Sequence, residues 1–150
     1  MVTDADLWEL VTAGRQGILA TTGSDGPPQL SNILYVVDPE RRVVRISTTA
    51  DRIKARNVAR NPHVALHVAG DDFWQYAVAE GAAALSPVAS TPLDEATQEL
   101  FEIHGSFYGA LDREPFDQEM IANRRLVIRI TVGHLYGIIS TTGRRPAPST

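Results

Sequence analysis

The 150-residue chain is long enough for one domain, and its 43% hydrophobic and 21% charged residues are ordinary values for a globular protein. No apolar run approaches the ~20 residues of a membrane-spanning helix and no signal-like start is visible, so we expect a cytoplasmic protein with no membrane partner. The absence of cysteine excludes thiol catalysis and cysteine-ligated metal sites. A net charge of −4 argues against a nucleic-acid partner.

The first half of the chain predicts one helix followed by three strands. The helix begins after Thr3, whose hydroxyl suits an N-cap, and it ends at Gly14. The apolar period then changes from helical to alternating. Strands are predicted at 17–22, 29–37 and 43–48, and a turn rich in Gly and Pro separates the first two.

The second half predicts three helices and three more strands. The helices are expected at 51–61, from Thr91-Pro92 to about 104, and from Pro115 to about 123; the strands at 64–69, 73–85 and 126–139. Short turns join most of the strands, which predicts a mainly β fold, a six-stranded antiparallel barrel with peripheral helices. One domain is expected over 1–139, followed by a mobile tail rich in Pro, Ser and Thr over 140–150.

Basic residues concentrate between Glu40 and Arg60. Within this segment a predicted strand ends in Ser47-Thr48-Thr49, and a predicted helix follows with Arg52 and Lys54 in its first turns. The start of a helix offers free N–H groups and the positive end of its dipole, and both cations complement an anion. The pattern predicts a phosphate site, although hydroxyl caps on a solvated basic helix would produce the same residues.

A polar residue interrupts the apolar face of the second strand. Strand alternation puts Asn32 on the same face as Leu30 and Leu34, and a buried amide requires hydrogen-bond partners. Backbone groups or the polar edge of a bound heterocycle would both satisfy it.

The predicted strand 73–85 carries an aromatic face and a slim face. Trp74 and Tyr76 project to one side, as a core, an interface or a ligand clamp would each require. The small or narrow residues of the opposite face allow close approach by another sheet, a partner subunit or a flat ligand; they are Gln75, Ala77, Ala79 and Gly81.

No spacing in the sequence brings together side chains that could catalyse a reaction without a cofactor. His63 and His67 are four apart on a predicted strand, about 13 Å from each other, which is too far for one metal ion. No metal site is therefore expected. No carboxylate pair has acid–base spacing, and no serine lies in a G-x-S-x-G context. Any redox chemistry would then come from a cofactor.

Four sequence strings resemble a known family. QLSN at 29–32 and R-x-K-x-x-N at 52–57, each beside a predicted strand, resemble the pyridoxamine 5′-phosphate oxidase-like split β-barrel superfamily. WQYAVAEG at 74–81 and HLYG at 134–137 resemble its actinobacterial branch, the flavin/deazaflavin oxidoreductases of group B, which use the deazaflavin coenzyme F-420.

This resemblance implies a six-stranded split β-barrel that forms a homodimer with two equivalent cofactor sites across the subunit interface. It also assigns ten residues to the cofactor. Arg52 and Lys54 would hold the phosphate with help from Ser47, Thr48 and Asn57; Gln29, Ser31 and Asn32 would face the ribityl chain and ring edge; Trp74 and Tyr76 would come from the other subunit.

The implied reaction is hydride transfer from the reduced deazaflavin to an activated C=C bond of a small apolar substrate, such as a conjugated lactone or enone. No matching position holds an obvious catalytic acid, so the accompanying proton would come from solvent or from Tyr76. Two alternatives remain open: an FMN-dependent enzyme of the same fold, and a non-catalytic module that binds or carries the cofactor.

Overall fold

The computed structural model describes residues 2–139, which form four helices and one sheet of seven strands. The tail predicted at 140–150 lies outside the described residues. The helices are α1 (Asp4–Ala13), α2 (Ile53–Arg60), α3 (Glu95–Tyr108) and α4 (Arg113–Ala122). The strands are β1 (Gln16–Thr21), β2 (Gln29–Leu34), β3 (Val36–Asp38), β4 (Val43–Thr49), β5 (His63–Ala69), β6 (Tyr76–Leu85) and β7 (Arg125–Ile138). None of these helices is long and apolar enough to cross a membrane.

The sheet curls because its two edge strands are neighbours in the chain. The strand order is β2-β1-β5-β6-β7-β4-β3, with every adjacent pair antiparallel. Only Tyr35 separates β2 at one edge from β3 at the other. The two edges must therefore lie close together, and the sheet forms a half-barrel.

The prediction of six strands is wrong by one, because the strand predicted at 29–37 is two strands. Tyr35 interrupts it: its N–H donates to the Arg15 carbonyl at 2.9 Å, and its hydroxyl donates to the Val11 carbonyl at 2.6 Å. Residues before Tyr35 pair with β1, and residues after it pair with β4. Alternation alone does not reveal this change of partner.

Two apolar clusters hold the elements together. The larger one fills the inside of the curl, where α1 inserts Leu7, Trp8 and Val11 against the sheet. The smaller one lies between α3, α4 and the outer side of β7. Because β7 is covered on both sides there, consecutive residues at 126–128 are all buried. Each fully buried Leu or Ile contributes about 1.5–3 kcal/mol through removal of apolar surface from water.

Two element boundaries that concern the site differ from the predicted ones. β6 begins at Tyr76 and not at residue 73, because the Asp72 carboxylate accepts the N–H groups of Trp74 and Gln75 and holds them in a turn. α3 begins after Asp94, whose carboxylate caps the N–H of Thr97 at 2.8 Å, and not at Thr91-Pro92.

Candidate functional site

Two clefts adjoin each other at the edge strand β2, and both are lined by Asn32, Ile33 and Leu34. The smaller, about 190 Å³, we call the cationic pocket; its other lining residues are Ser47, Lys54, Ile103, His104, Phe107, Tyr108 and Arg125. The larger, about 570 Å³, we call the outer groove; its other lining residues are Gln16, Gly17, Ile18, His67, Ala69 and Gly70. Since β2 is an edge strand, one side of its backbone pairs with no other strand of the described sheet.

Four elements bring the polar residues of the cationic pocket together. Lys54 lies in the first turn of α2, and His104 lies on α3. Antiparallel pairing of β4 with β7 sets Thr49 opposite Arg125, so the Arg125 side chain reaches back to Ser47. Its Nη1 donates to the Ser47 Oγ at 3.1 Å, and that Oγ lies 2.9 Å from the Nε2 of His104.

The pocket carries positive charge that the described chain does not neutralise. Burial lowers the pKa of Lys54, and the nearby charges of Arg52 and Arg125 lower it further. No ion pair among residues 2–139 includes any of these three cations. An anion bound here would replace repulsion between cations with attraction.

Three buried polar atoms lack hydrogen-bond partners among the described residues: the Nε of Arg125, the Oε1 of Gln29 and the Oγ of Ser31. A buried polar group without a partner costs about 1–3 kcal/mol. Arg125 lines the pocket, and the other two lie on the edge strand β2. The unpartnered Nε of Arg125 fits an anionic ligand in the pocket, whereas Gln29 and Ser31 line neither cleft.

The segment QLSN presents its side chains to opposite faces of β2. Gln29 and Ser31 are partly buried on the inner face, whereas Asn32 is exposed on the outer face with Leu30 and Leu34. The expectation of a buried amide at Asn32 is therefore wrong for the single chain. The shared face is as predicted, but no other element of the described chain covers it.

The basic segment separates into two parts. Its first three arginines form ion pairs with carboxylates elsewhere in the fold: Arg41 with Asp38, Arg42 with Asp4, and Arg45 with Glu99 and Glu102. Arg52, Arg56 and Arg60 are exposed along α2 and belong to no ion pair of the described residues. Within this basic segment, the cations without a carboxylate partner among the described residues are therefore those of α2 and its N-cap.

Thr48 and Asn57 do not line the cationic pocket. Alternation along β4 turns Ser47 outward and Thr48 into the core. Asn57 is buried on the inner side of α2, where its Nδ2 donates to the Thr21 Oγ1 at 3.1 Å. Both side chains serve the attachment of α2 and β4 to the fold.

Trp74 and Tyr76 lie at the outer side of the sheet, away from the cationic pocket. Trp74 is in the turn before β6 and is 41% exposed. Tyr76 stacks on His67 with ring centroids 5.2 Å apart, and His67 lines the outer groove.

Of the alternatives left open for the slim face of β6, the structure shows packing within the chain itself. Ala77 and Ala79 are fully buried in the chain's own core. Gly81 lies at a β-bulge, where a Cβ would collide with the carbonyl of Thr131 on β7. The small residues therefore permit close packing within the sheet.

An apolar surface without cover extends over the outer face of the sheet beside the outer groove. Five apolar or aromatic side chains form it, each between 39% and 64% exposed: Ile18, Leu30, Leu34, Tyr136 and Ile138. Strand pairing connects them, since Ile18 lies opposite Asn32 and His67, and Tyr76 lies opposite Ile138. We call this surface the outer apolar face.

His104 and Arg125 line the pocket but were not predicted from the sequence. Arg125 directly precedes a predicted strand, but its position beside Ser47 depends on the register of two strands 78 residues apart. His104 lies in an acidic helical stretch with no local sign of a pocket. No group of three or more His, Asp or Glu side chains within residues 2–139 is arranged to hold a metal ion.

Comparison with known proteins adds a family and several similar folds. The family model for pyridoxamine 5′-phosphate oxidase matches residues 4–138. An F-420 reductase is 25% identical with a TM-score of 0.66, over 85% of this chain and 94% of that one. A conserved hypothetical protein from Mycobacterium tuberculosis is 24% identical with a TM-score of 0.67, over 95% and 96%. A FAD-binding protein from Mesorhizobium loti is 19% identical with a TM-score of 0.61, over 89% and 92%. The likenesses to these last two proteins concern the fold alone.

Proposed function

This chain belongs to the pyridoxamine 5′-phosphate oxidase family, and from that premise we propose that it is a homodimeric oxidoreductase dependent on coenzyme F-420. Its reaction would be hydride transfer to an activated C=C bond of a small apolar substrate, such as a conjugated lactone or enone. The observation that carries this proposal is an unneutralised cationic pocket adjoining a larger groove. The likeness to an F-420 reductase supports a deazaflavin as the ligand.

The phosphate of the cofactor would bind in the cationic pocket. Lys54 and Arg125 would supply charge-assisted contacts and Ser47 a hydroxyl, because all three line that pocket. Each such contact to a charged group contributes about 1.5–3 kcal/mol. Arg52 and Arg56, exposed on the adjacent helix, would attract further anionic groups of a long cofactor tail.

The polar chain and the ring would follow β2 toward the outer groove. Asn32 borders both clefts and would contact the polar chain; on the inner face of the same strand, the unpartnered Gln29 Oε1 would accept a hydrogen bond, and the Ser31 Oγ would donate or accept one. When bound, the reduced cofactor supplies the hydride. The protein's part is to exclude water with the apolar walls at Ile18 and Leu34 and to orient the two reactants.

Tyr76 is our candidate for delivery of the proton that must accompany the hydride. Its ring stacks on His67, which lines the outer groove. A phenol held beside an apolar groove can donate a proton to a carbanion-like carbon and regain it from solvent.

The outer apolar face supports the homodimer. Soluble monomers rarely expose continuous apolar surface of this kind, and a twofold pair covers it by self-association. Trp74, exposed in the turn before β6, would contact the second subunit. The same pairing would cover the outer groove and exclude water from the ring.

Equilibrium titration with F-420 and with FMN tests the proposal. We expect tighter binding of F-420, followed by oxidation of the reduced cofactor when an activated enone is added without oxygen. Tighter binding of FMN with oxygen-dependent turnover would replace the proposal with an FMN-dependent enzyme. Binding of F-420 without turnover of any enone would indicate a carrier.

A further inference from the structure

His104 occupies a defined position in the cationic pocket, and the proposed reaction gives it no role. Its Nε2 lies 2.9 Å from the Ser47 Oγ, which accepts a hydrogen bond from Arg125 at 3.1 Å. Its ring packs edge-on against Phe116 at 5.2 Å and lies 6.0 Å from the ring of Tyr108. Ring orientation is therefore set from three sides, with Nε2 directed at the hydroxyl that Arg125 also contacts.

Charged and titratable groups face His104 from each element around it. Arg125 of β7 and Lys54 of α2 line the same pocket, Glu119 of α4 is the nearby acid, and Tyr108 is on its own helix. Burial lowers the pKa of His104, Arg125 lowers it further, and Glu119 opposes the shift. With an ordinary value of about 6.5 reduced in this way, the imidazole is neutral at neutral pH.

We propose that His104 is a third anion-binding group of the cationic pocket and takes up a proton from solvent when a phosphate or sulfate group binds beside Lys54 and Arg125. This inference rests on the proposed function only in treating the pocket as an anion site. Two fixed cations disfavour a third positive charge, but a bound dianion offsets their repulsion and attracts the added proton. Both ring nitrogens of the protonated imidazole are donors, whereas the neutral ring has only one donor nitrogen.

By thermodynamic linkage, protonation of His104 then raises the affinity for the anion by the same factor by which the bound anion raises the affinity of His104 for a proton. Affinity for the anion should rise as the pH falls through the range between the bound-state and free-state pKa values of His104, by at most about tenfold per pH unit for one proton. Above that range the affinity should become independent of pH, because Lys54 and Arg125 stay charged.

Inorganic sulfate is the appropriate probe because it keeps two negative charges across the whole range, so any pH dependence reports a proton on the protein. We would measure sulfate affinity between about pH 5.5 and about pH 8 at constant ionic strength, and follow the His104 ring by NMR. We expect sulfate, but not chloride, to raise the pKa of His104. We also expect affinity to increase about three- to tenfold toward the acid end.

His104→Gln keeps a hydrogen-bonding group beside Ser47 but cannot gain a charge. Its sulfate affinity should be independent of pH and equal to that of the unsubstituted protein at pH 8. The matched control is His63→Gln, at an exposed position outside both clefts, which should retain the full pH dependence.

Sulfate affinity that does not change with pH, or a pH dependence that survives in His104→Gln, would overturn the inference. The sulfate and F-420 measurements together distinguish a failure of this inference from a failure of the proposed function. Sulfate linkage through His104 without any F-420 binding refutes the proposed cofactor and leaves the anion-binding role intact. Tight F-420 binding without sulfate linkage refutes the role of His104 alone.

Discussion

Replacement of Lys54 by methionine separates ligand binding from folding. Methionine keeps most of the apolar stem and removes the charge. Because burial and two neighbouring cations lower the pKa of Lys54, its charged form is less favourable in the folded chain than in the unfolded one. That penalty is present at neutral pH and is lost only as the pH rises toward the ordinary value of 10.5. Lys54→Met should therefore be at least as stable as the unsubstituted protein.

The same substitution should weaken cofactor binding strongly. Loss of one charge-assisted contact of about 1.5–3 kcal/mol corresponds to roughly a ten- to hundredfold increase in Kd. Added salt should weaken binding by the unsubstituted protein more than binding by Lys54→Met, since screening acts on the charge that the variant lacks.

The assay is cofactor titration at low and high salt together with chemical unfolding of each variant. Arg60→Met is the matched control, because Arg60 is an exposed cation in the last turn of the same helix and outside the pocket. Equal affinities for Lys54→Met and Arg60→Met would refute the assignment of Lys54 to the anion site. A parallel loss of unfolding free energy in Lys54→Met would refute the electrostatic reasoning.

Three further changes test the interface and the packing around the site. Leu30→Arg introduces a charge on the outer apolar face, where Leu30 is 64% exposed, and sedimentation at micromolar concentration should show dissociation to monomers; a monomeric unsubstituted protein would contradict this. Asn57→Ala leaves the buried hydroxyl of Thr21 without its partner and should lower the unfolding free energy by about 1–3 kcal/mol, whereas an unchanged melting temperature would count against that bond. Gly81→Ala places a Cβ against the Thr131 carbonyl and should cost more than about 2 kcal/mol in chemical unfolding, unless the bulge relaxes without cost.

Local chemistry predicted much of the chain correctly. Thr3 caps α1 with a capping box, alternation marks strands such as β4, and Lys54 follows a hydroxyl-rich strand end into a pocket. Each of these features depends on residues within a few positions of one another, so sequence spacing is sufficient to find it. The missed boundaries depend on individual carboxylates, since Asp72 sets the start of β6 and Asp94 sets the start of α3.

Residue type alone did not show which basic residues form ion pairs with carboxylates and which have no acidic partner among the described residues. Arg45 and Lys54 lie nine positions apart in one basic segment, yet Arg45 is neutralised by acids of α3 and Lys54 is not. Which carboxylate meets which cation is determined by the packing of a helix that follows some forty residues later. Only the tertiary structure therefore separates the paired cations from those that are available to an anionic ligand.

The sequence by itself determined the class of fold, the direction of most side chains along each strand, and a cation next to a helix start. Only the tertiary structure decided that the strand at 29–37 divides at Tyr35, that Ala77 faces the core, and that Arg125 and His104 complete the pocket. Alternation specifies two faces but not which face is inside, and not which distant strand will be the neighbour. Those choices depend on the register of strands far apart in the chain, which the packing of the whole sheet selects.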